Sequence, residues 1–248
     1  MSGDELPPLT VLSPVARSRH PSNAETLKEL AYHWGSSFDL VEVFGFSEVA
    51  AARNHVATEA VPIVQRKAGV VLWLDSDMVA DVETVILHAQ VVQATDKVIS
   101  GRAVMRRNPQ ALAASLYERE ERHPTISVLH EKEMTVRFQP ILAGMACLMM
   151  TSIVFLDHMQ SVPTQTQGKK VKYLATCPRI ERHKEMGSVF ISEDHAYSID
   201  LMHWGGPWLA EIQKKDGAVS WLDYGHILEQ VGMHAPRPSI LRPEVRKA

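Results

Sequence analysis

The stretch VVLWLDSDM, residues 70–78, is a continuous β-branched and aromatic run that ends in two carboxylates one residue apart. A run of this kind is typical of a strand buried on both faces, as the central parallel strands of α/β sheets are. Asp75 and Asp77 then lie at its carboxyl end, the edge where ligands bind in open α/β sheets. Because carboxylates lose hydration there unless a positive partner meets them, we expect a divalent cation carrying a phosphate.

Strand and helix patterns alternate on both sides of this run. Strands are predicted over residues 9–15, 40–44 and 97–105, and helices over 24–34, 48–61, 81–95 and 193–204. From residue 125 onward, apolar and polar residues alternate and predict an antiparallel hairpin. We therefore expect an α/β fold with a mostly parallel central sheet, flanking helices and an antiparallel extension.

Two further predictions depend on proline and glycine residues, which interrupt helices and strands. Pro62 is expected to end the second helix and to begin a short link to the central strand. Residues 158–187 contain Pro163, Gly168, Pro178 and several lysines, and we expect a long mobile loop there that could act as a lid.

The composition limits the classes of protein and of partner that are to be considered. The chain has 248 residues, of which 45% are hydrophobic and 22% charged, and a net charge of −3. No basic field covers the whole chain, so a nucleic-acid partner would depend on small local groups of lysine and arginine. The two cysteines, Cys147 and Cys177, lack metal-type spacing and are expected to be reduced. No signal peptide or apolar run of membrane-spanning length is visible, so we expect a cytoplasmic protein without a membrane span.

The two acids after the central strand have two interpretations. In an extended segment, residues two apart point to the same side, so Asp75 and Asp77 could share a hydrated Mn²⁺ or Mg²⁺ with phosphate oxygens. Alternatively, both acids simply cap the helix that begins near residue 81, and a motif this short favours that interpretation when it is considered alone.

Three other motifs each have both a structural and a functional interpretation when they are considered alone. Glu193 and Asp194 at a helix amino terminus are stabilised by the helix dipole, or one of them serves as a general base. His226 follows an aromatic and glycine-containing turn, where a histidine is more often structural or exposed. Arg53 on the second helix is a surface arginine by default, or it binds phosphate oxygens.

Order and spacing connect these motifs. The stretches AARNHVATEA (51–60), VVLWLDSDM (70–78), ILAGMACLMM (141–150) and SEDHAYSIDLMHWG (192–205) follow one another along the chain. In this order they resemble the arginine-containing helix, the Asp-x-Asp strand, the glycine-containing acceptor-side strand and the Glu-Asp helix of the GT-A class of nucleotide-sugar glycosyltransferases. The resemblance covers about residues 10–230.

The resemblance implies one catalytic domain of GT-A fold, which is Rossmann-like. A nucleotide-sugar-binding half would span about residues 9–100, an acceptor-binding half about 101–230, and a tail 231–248. The activity implied is transfer of a hexosyl or pentosyl group from a nucleoside-diphosphate sugar to an acceptor hydroxyl, with Mn²⁺ or Mg²⁺ as cofactor.

The resemblance also implies a role for each site residue. Asp77 would be the direct metal ligand, Asp75 would contact the ribose or the metal, and His226 would complete the metal ligands. Asp194 would be the catalytic base of an inverting reaction, and Glu193 would bind an acceptor or sugar hydroxyl. The remaining positions are divided between the donor nucleotide (Ser13, Pro14, Val15, Arg53, Asp75 and Ser76) and the acceptor side (Gly144 and Trp204).

The acceptor stays open. It could be a saccharide, a protein, a small molecule or a hydroxylated pyrimidine in DNA, and the last would use basic residues such as Arg102, Arg106 and Arg107 to approach phosphates. A nucleotidyltransferase is an alternative, but it predicts a glycine-rich, lysine-containing loop, and residues 9–20 contain neither residue type. An inactive transferase fold that serves as a binding module is the non-enzymatic alternative.

Overall fold

The structure is a computed structural model. It describes residues 6–15, 18–101, 104–105, 108–112, 114–116, 125–127, 134–167, 170–183, 187–204, 206–214, 219–221 and 225–226. Within 104–142 and 209–226 the description covers the backbone alone.

The described residues form five α-helices and eighteen strands. The helices are α1 (Pro21–Trp34), α2 (Val49–Arg66), α3 (Val82–Thr95), α4 (Ser152–Ser161) and α5 (Glu193–Asp200), with 3-10 turns at Gly35–Ser37 and Leu201–Trp204. The strands of the first half are β1 (Leu9–Val15), β2 (Phe38–Phe44), β3 (Val70–Leu74), β4 (Met78–Val79), β5 (Val98–Ser100), β6 (Val104–Met105), β7 (Asn108–Leu112), β8 (Ala114–Leu116) and β9 (Thr125–Ser127). Those of the second half are β10 (Met134–Ala143), β11 (Cys147–Thr151), β12 (Thr164–Gln167), β13 (Lys170–Tyr173), β14 (Arg179–His183), β15 (Gly187–Ile191), β16 (Pro207–Lys214), β17 (Val219–Trp221) and β18 (Gly225–His226).

One ten-stranded sheet runs through the molecule in the order β2-β1-β3-β11-β5-β16-β10-β8, with β17 beside β16 and β9 beside β10. β1 is parallel to β2 and β3, β11 is antiparallel to both β3 and β5, and β16 is parallel to β5. Five of the first six strands in this order therefore point the same way. β10 is antiparallel to β16, β8 and β9. The expected α/β fold with a mostly parallel central sheet and flanking helices is confirmed, and β11 gives that central sheet a mixed orientation.

The core has two layers because successive residues of each central strand face opposite sides of the sheet. On one side, Leu72 and Leu74 pack with buried residues of α1 and α3. On the other side, Val71 and Trp73 pack with buried residues of α2, α4 and α5. All five residues of β3 are buried, as the apolar run predicts. Burial of each large side chain contributes roughly 1.5–3 kcal/mol, which makes this strand the centre of the fold.

Two local predictions are wrong. α2 continues through Pro62 to Arg66, because buried Val61 and Val64 extend its apolar face past the proline and offset the roughly 3 kcal/mol that an internal proline costs. The segment 158–187 contains the end of α4, the antiparallel pair β12–β13, and β14, which pairs antiparallel with β15 (Gly187–Ile191). Strand pairing supplies hydrogen bonds that a structureless loop would leave to water.

No helix in the described part of the chain is long and apolar enough to cross a lipid bilayer.

Candidate active site

A tight turn carries the two acids of the central strand. β3 ends at Leu74, and the amide of Met78 donates to the carbonyl oxygen of Asp75 at 3.0 Å. The turn is thus closed over residues 75–78, and Asp75, Ser76 and Asp77 are each half-buried within it. Asp75 and Asp77 therefore lie in a tight turn and not in the extended segment that was expected.

Residues at the start of α1 hold this turn in place. The side-chain amide of Asn23 donates to the carbonyl oxygens of Asp75 at 3.1 Å and Met78 at 2.5 Å. The backbone amide of His20 donates to the carbonyl oxygen of Ser76 at 3.0 Å. Asn23 is fully buried, and hydrogen bonds from a buried amide fix the backbone of the turn more firmly than solvent would.

Arg53 joins the turn to the Glu-Asp helix. Its guanidinium Nη2 lies 3.2 Å from Oδ2 of Asp75, and Nη1 lies 3.6 Å from Oε1 of Glu193. Nη1 also donates to Oδ1 of Asp194. The arginine side chain is 3% exposed, whereas the three carboxylate side chains are 20%, 26% and 31% exposed. The default interpretation of Arg53 as a surface residue is therefore wrong.

The charge of this cluster is negative in sum, since one guanidinium faces three carboxylates. Burial by itself opposes the charge of Arg53, but attraction to Asp75, Asp194 and Glu193 outweighs burial and raises the pKa of Arg53 above its ordinary value. Arg53 Nε is buried and has no hydrogen-bond partner among the residues that the structure describes. The guanidinium is thus permanently charged and oriented by its two terminal nitrogens.

Local capping explains the Glu-Asp helix only in part. Oγ of Ser192 accepts from the amide of His195 at 3.4 Å, so Ser192 is the cap of α5. Glu193 and Asp194 occupy the first turn, where the helix dipole favours carboxylates. Oδ1 of Asp194 also accepts from the amide of Met145 at 3.3 Å. Met145 follows the half-buried Gly144 in the link between β10 and β11, so the predicted acceptor-side glycine lies beside the cluster.

The structure also decides the capping alternative for the Asp-x-Asp motif. The cap of α3 is Asp81, whose Oδ2 accepts from the amide and hydroxyl of Thr84 at 3.0 and 2.6 Å. Asp81 therefore caps α3, and Asp75 and Asp77 lie in the turn that precedes it. The interpretation of these two acids as helix caps is wrong.

The late histidine approaches the turn through its backbone. β18 pairs antiparallel with β4, and this pairing sets His226 opposite Met78, the residue after Asp77. The described residues contain no cluster of three side chains that could hold a metal ion. The imidazole of His226 is outside the described part, so the complete predicted ligand set remains a prediction.

The predicted nucleotide residues of β1 lie at the same sheet edge. Leu12 is opposite Trp73 in the parallel pairing of β1 and β3, so Ser13 and the two residues after it reach the level of the turn. All three side chains are buried, and Ser13 Oγ accepts from Nη2 of Arg19 at 3.1 Å. Contact of Ser13, Pro14 and Val15 with a nucleotide stays a prediction.

Trp204 is not part of the carboxylate cluster. It belongs to the 3-10 turn after α5, at the opposite end of that helix from Glu193, and it lines a separate cleft. The basic residues that were named for an approach to DNA, Arg102, Arg106 and Arg107, lie outside the described residues.

Sequence reasoning missed two positioning residues. Asn23 was not identified as a residue of the site, and the cap of α1 is His20, whose Nδ1 accepts from the amide of Ser22 at 3.2 Å. Arg19 was not identified either, yet it donates to Ser13, Asn23 and Glu42. Their position shortly after the first strand of an α/β sheet is a signal that could have marked them.

Comparison with known proteins gives a distant structural similarity. No protein-family model matches the chain, and no curated protein matches it. Among solved structures, the crystal structure of A197 from STIV matches with a TM-score of 0.43 and 11% sequence identity, over 92% of this chain and 99% of that one. At this level the likeness carries no argument about function.

Proposed function

We propose that this protein is a metal-dependent glycosyltransferase that moves a sugar from a nucleoside-diphosphate donor to an acceptor hydroxyl. One observation carries the proposal: Asp75, Glu193 and Asp194 converge on the buried guanidinium of Arg53 beside the carboxyl end of β3. Arg53 and Asp194 are 141 positions apart in the chain. Convergence of distant acids at this sheet edge is typical of a ligand site rather than of helix capping.

The residues near the turn suit a divalent cation by their donor chemistry. Carboxylate oxygens of Asp77 and Asp75 and an imidazole from His226 are ligands that Mn²⁺ and Mg²⁺ accept together with phosphate oxygens. Asp77 would be the main ligand, as the resemblance to GT-A enzymes implies, while Asp75 faces Arg53 at 3.2 Å. A bound cation would neutralise the nucleoside diphosphate as it departs.

Asp194 is the proposed base. Its Oδ1 is occupied by Arg53 and by the amide of Met145, and Oδ2 accepts no hydrogen bond from the described residues. The side chain is 31% exposed, so Oδ2 is accessible to an acceptor hydroxyl and could take its proton. Arg53 and Met145 fix the carboxylate, and Glu193 in the same helical turn would orient the acceptor or the sugar.

The test is a thermal-shift and calorimetric screen of UDP-, GDP-, CMP- and dTDP-sugars with and without Mn²⁺. A ligand that binds only the native state stabilises it by about 2.7 kcal/mol at a hundred times its dissociation constant. We expect one nucleotide class to do so only with metal, and Asp77→Asn to abolish the effect. Asp96→Asn is the matched control, since Asp96 is an exposed acid outside the site that asparagine can replace in the left-handed conformation.

The same preparation separates binding from transfer. Asp194→Asn should retain metal-dependent donor binding and should lose release of the nucleoside diphosphate, because a neutral amide accepts no proton. The proposal fails if no nucleotide sugar stabilises the protein in the presence of metal, or if Asp77→Asn and Asp96→Asn respond alike.

A further inference from the structure

An open cleft of about 820 Å³ lies on the sheet face that α2, α4 and α5 cover. Its walls are the carboxyl-terminal half of α4, the link from β13 to β14, and the end of α5 with its 3-10 turn. The volume falls within the roughly 300–1,000 Å³ of ordinary small-molecule sites. The carboxylate cluster is at the amino terminus of α5 and the cleft at its other end, so the two sites are separated by about 10 Å of helix.

One wall of the cleft is an aromatic side chain held by other rings. Trp204 packs edge-on against His158 with ring centroids 5.8 Å apart, and His158 packs edge-on against Tyr197 at 4.7 Å. The Tyr197 hydroxyl accepts from Nε1 of Trp73 at 3.3 Å, deep in the core. Because this series of rings fixes Trp204, a ligand that stacks on it loses little affinity to ordering of the side chain.

His158 adds an unusual polar group to the floor of the cleft. The residue is fully buried, and neither ring nitrogen has a hydrogen bond of normal geometry among the described residues, although the backbone of Ala175 lies beside the ring. Burial lowers the pKa of His158 to about 4, so the ring is neutral and has one donor and one acceptor. Both ring nitrogens are shielded from solvent, so His158 supports Trp204 from below and leaves polar contact with an occupant to the rim.

The rim of the cleft bears charged groups of both signs. Nη1 of Arg179 lies 2.7 Å from Oδ1 of Asp200, and both side chains are 35% exposed. Asp157 is an exposed carboxylate on the same cleft. One arginine and two aspartates give this lining a net negative charge, which disfavours phosphates and other anions. Planar carboxylate and guanidinium groups beside an indole face provide both donors and acceptors for a ring of hydroxyls.

We propose that this cleft binds a neutral oligosaccharide, stacked on Trp204 and hydrogen-bonded by Arg179, Asp200 and Asp157. The inference does not depend on the proposed transfer reaction, because none of these residues belongs to the carboxylate cluster. A site of this kind would hold a glycan chain close to the catalytic edge or fix the protein to a glycan surface.

Cys177 provides a reporter inside the cleft. It is exposed and lines the cleft, whereas Cys147 is buried. Maltotriose, cellotriose and N,N′-diacetylchitobiose are the probes, and alkylation of Cys177 in the full chain by a maleimide is followed by peptide mass. At ten times its dissociation constant, a saccharide in the cleft should slow alkylation about tenfold, because only the free fraction of the protein reacts.

Variants assign the effect to the cleft. Trp204→Leu should weaken saccharide binding about tenfold by removing the stacking face, and Arg179→Gln should weaken it without removing core packing. Tyr32→Leu is the matched control, since Tyr32 is an 86% exposed aromatic residue on α1 across the sheet. Asp77→Ala should retain saccharide binding in full, which separates this site from donor binding.

The proposal is overturned if none of the three saccharides slows alkylation of Cys177 at millimolar concentration. It is also overturned if protection is equal in wild type, Trp204→Leu and Arg179→Gln, or if a basic peptide or a nucleotide sugar protects Cys177 and the neutral saccharides do not.

Discussion

Replacement of Arg53 by methionine tests the arrangement on which the candidate active site depends. Methionine has a similar length and suits the buried face of α2, so the change removes the charge while it retains most of the apolar packing. It leaves Asp75, Glu193 and Asp194 close together without their common cation. We expect Arg53→Met to be strongly destabilising and to separate the Asp-x-Asp turn from α5.

The magnitude follows from burial. Removal of one partner of a fully buried ion pair costs roughly 3–5 kcal/mol. Here the arginine side chain is 3% exposed but the carboxylates retain 20–31% of their exposure, so water offsets part of the loss and we expect about 3 kcal/mol. For a chain of this size, that corresponds to a decrease in Tm of about 6–12 °C.

The assay is urea unfolding at neutral pH, with Arg66→Met as the control. Arg66 is an exposed arginine on the same helix, and its replacement should change the free energy of unfolding by less than about 0.5 kcal/mol. In a double-mutant cycle, Arg53→Met and Asp194→Asn should couple by about 1–3 kcal/mol. The reasoning is refuted if Arg53→Met costs less than about 1 kcal/mol, or if the two substitutions add independently.

Two further predictions concern buried polar groups outside the cluster. Burial lowers the pKa of His88 to about 3, so below its unfolded pKa of about 6.5 the unfolded chain binds a proton that the folded chain does not, and stability falls by about 1.4 kcal/mol per pH unit. In urea unfolding, His88→Leu should therefore remove about 2 kcal/mol of the stability that the wild type loses between about pH 7 and pH 5. If the dependence of stability on pH stays unchanged, as we expect for the exposed His33→Leu, the prediction is contradicted. Asn54 accepts from the amide of buried Thr176 at 2.7 Å and donates to its carbonyl at 3.0 Å. Asn54→Ala should therefore lower the free energy of unfolding by about 2–4 kcal/mol, because it leaves both backbone groups unpaired. A loss of stability no larger than that of the exposed Gln65→Ala would show that these hydrogen bonds contribute nothing.

The sequence predicted strands and helices correctly where neighbouring residues alone determine where an element begins and ends. β1 begins and ends at the predicted residues because a β-branched run is bounded by proline and by polar residues. The helix predicted over residues 81–95 is observed as α3 with Asp81 as its cap, since an acid before an apolar helical pattern satisfies free backbone amides by itself. The order of strands and helices then limits the fold to an α/β sheet.

Long-range contacts decided what local patterns could not. Pro62 stays within α2, and two strand pairs form between residues 164 and 191, because burial and strand pairing outweigh the local preference for a break or a loop. The Asp-x-Asp motif forms a turn because Asn23, over 50 positions earlier, binds its carbonyl oxygens. No spacing rule in the sequence predicts such a contact.

The sequence by itself thus determined the strand that carries Asp75, the α/β class and the residue types available for chemistry, because each depends on periodicity and composition over a few residues. Only the tertiary structure decided that Arg53 is buried among Asp75, Glu193 and Asp194, and that Trp204 lies in a separate cleft. The physical reason is that an ion pair depends on distance and desolvation, which are properties of the packed sheet and helices and not of position along the chain.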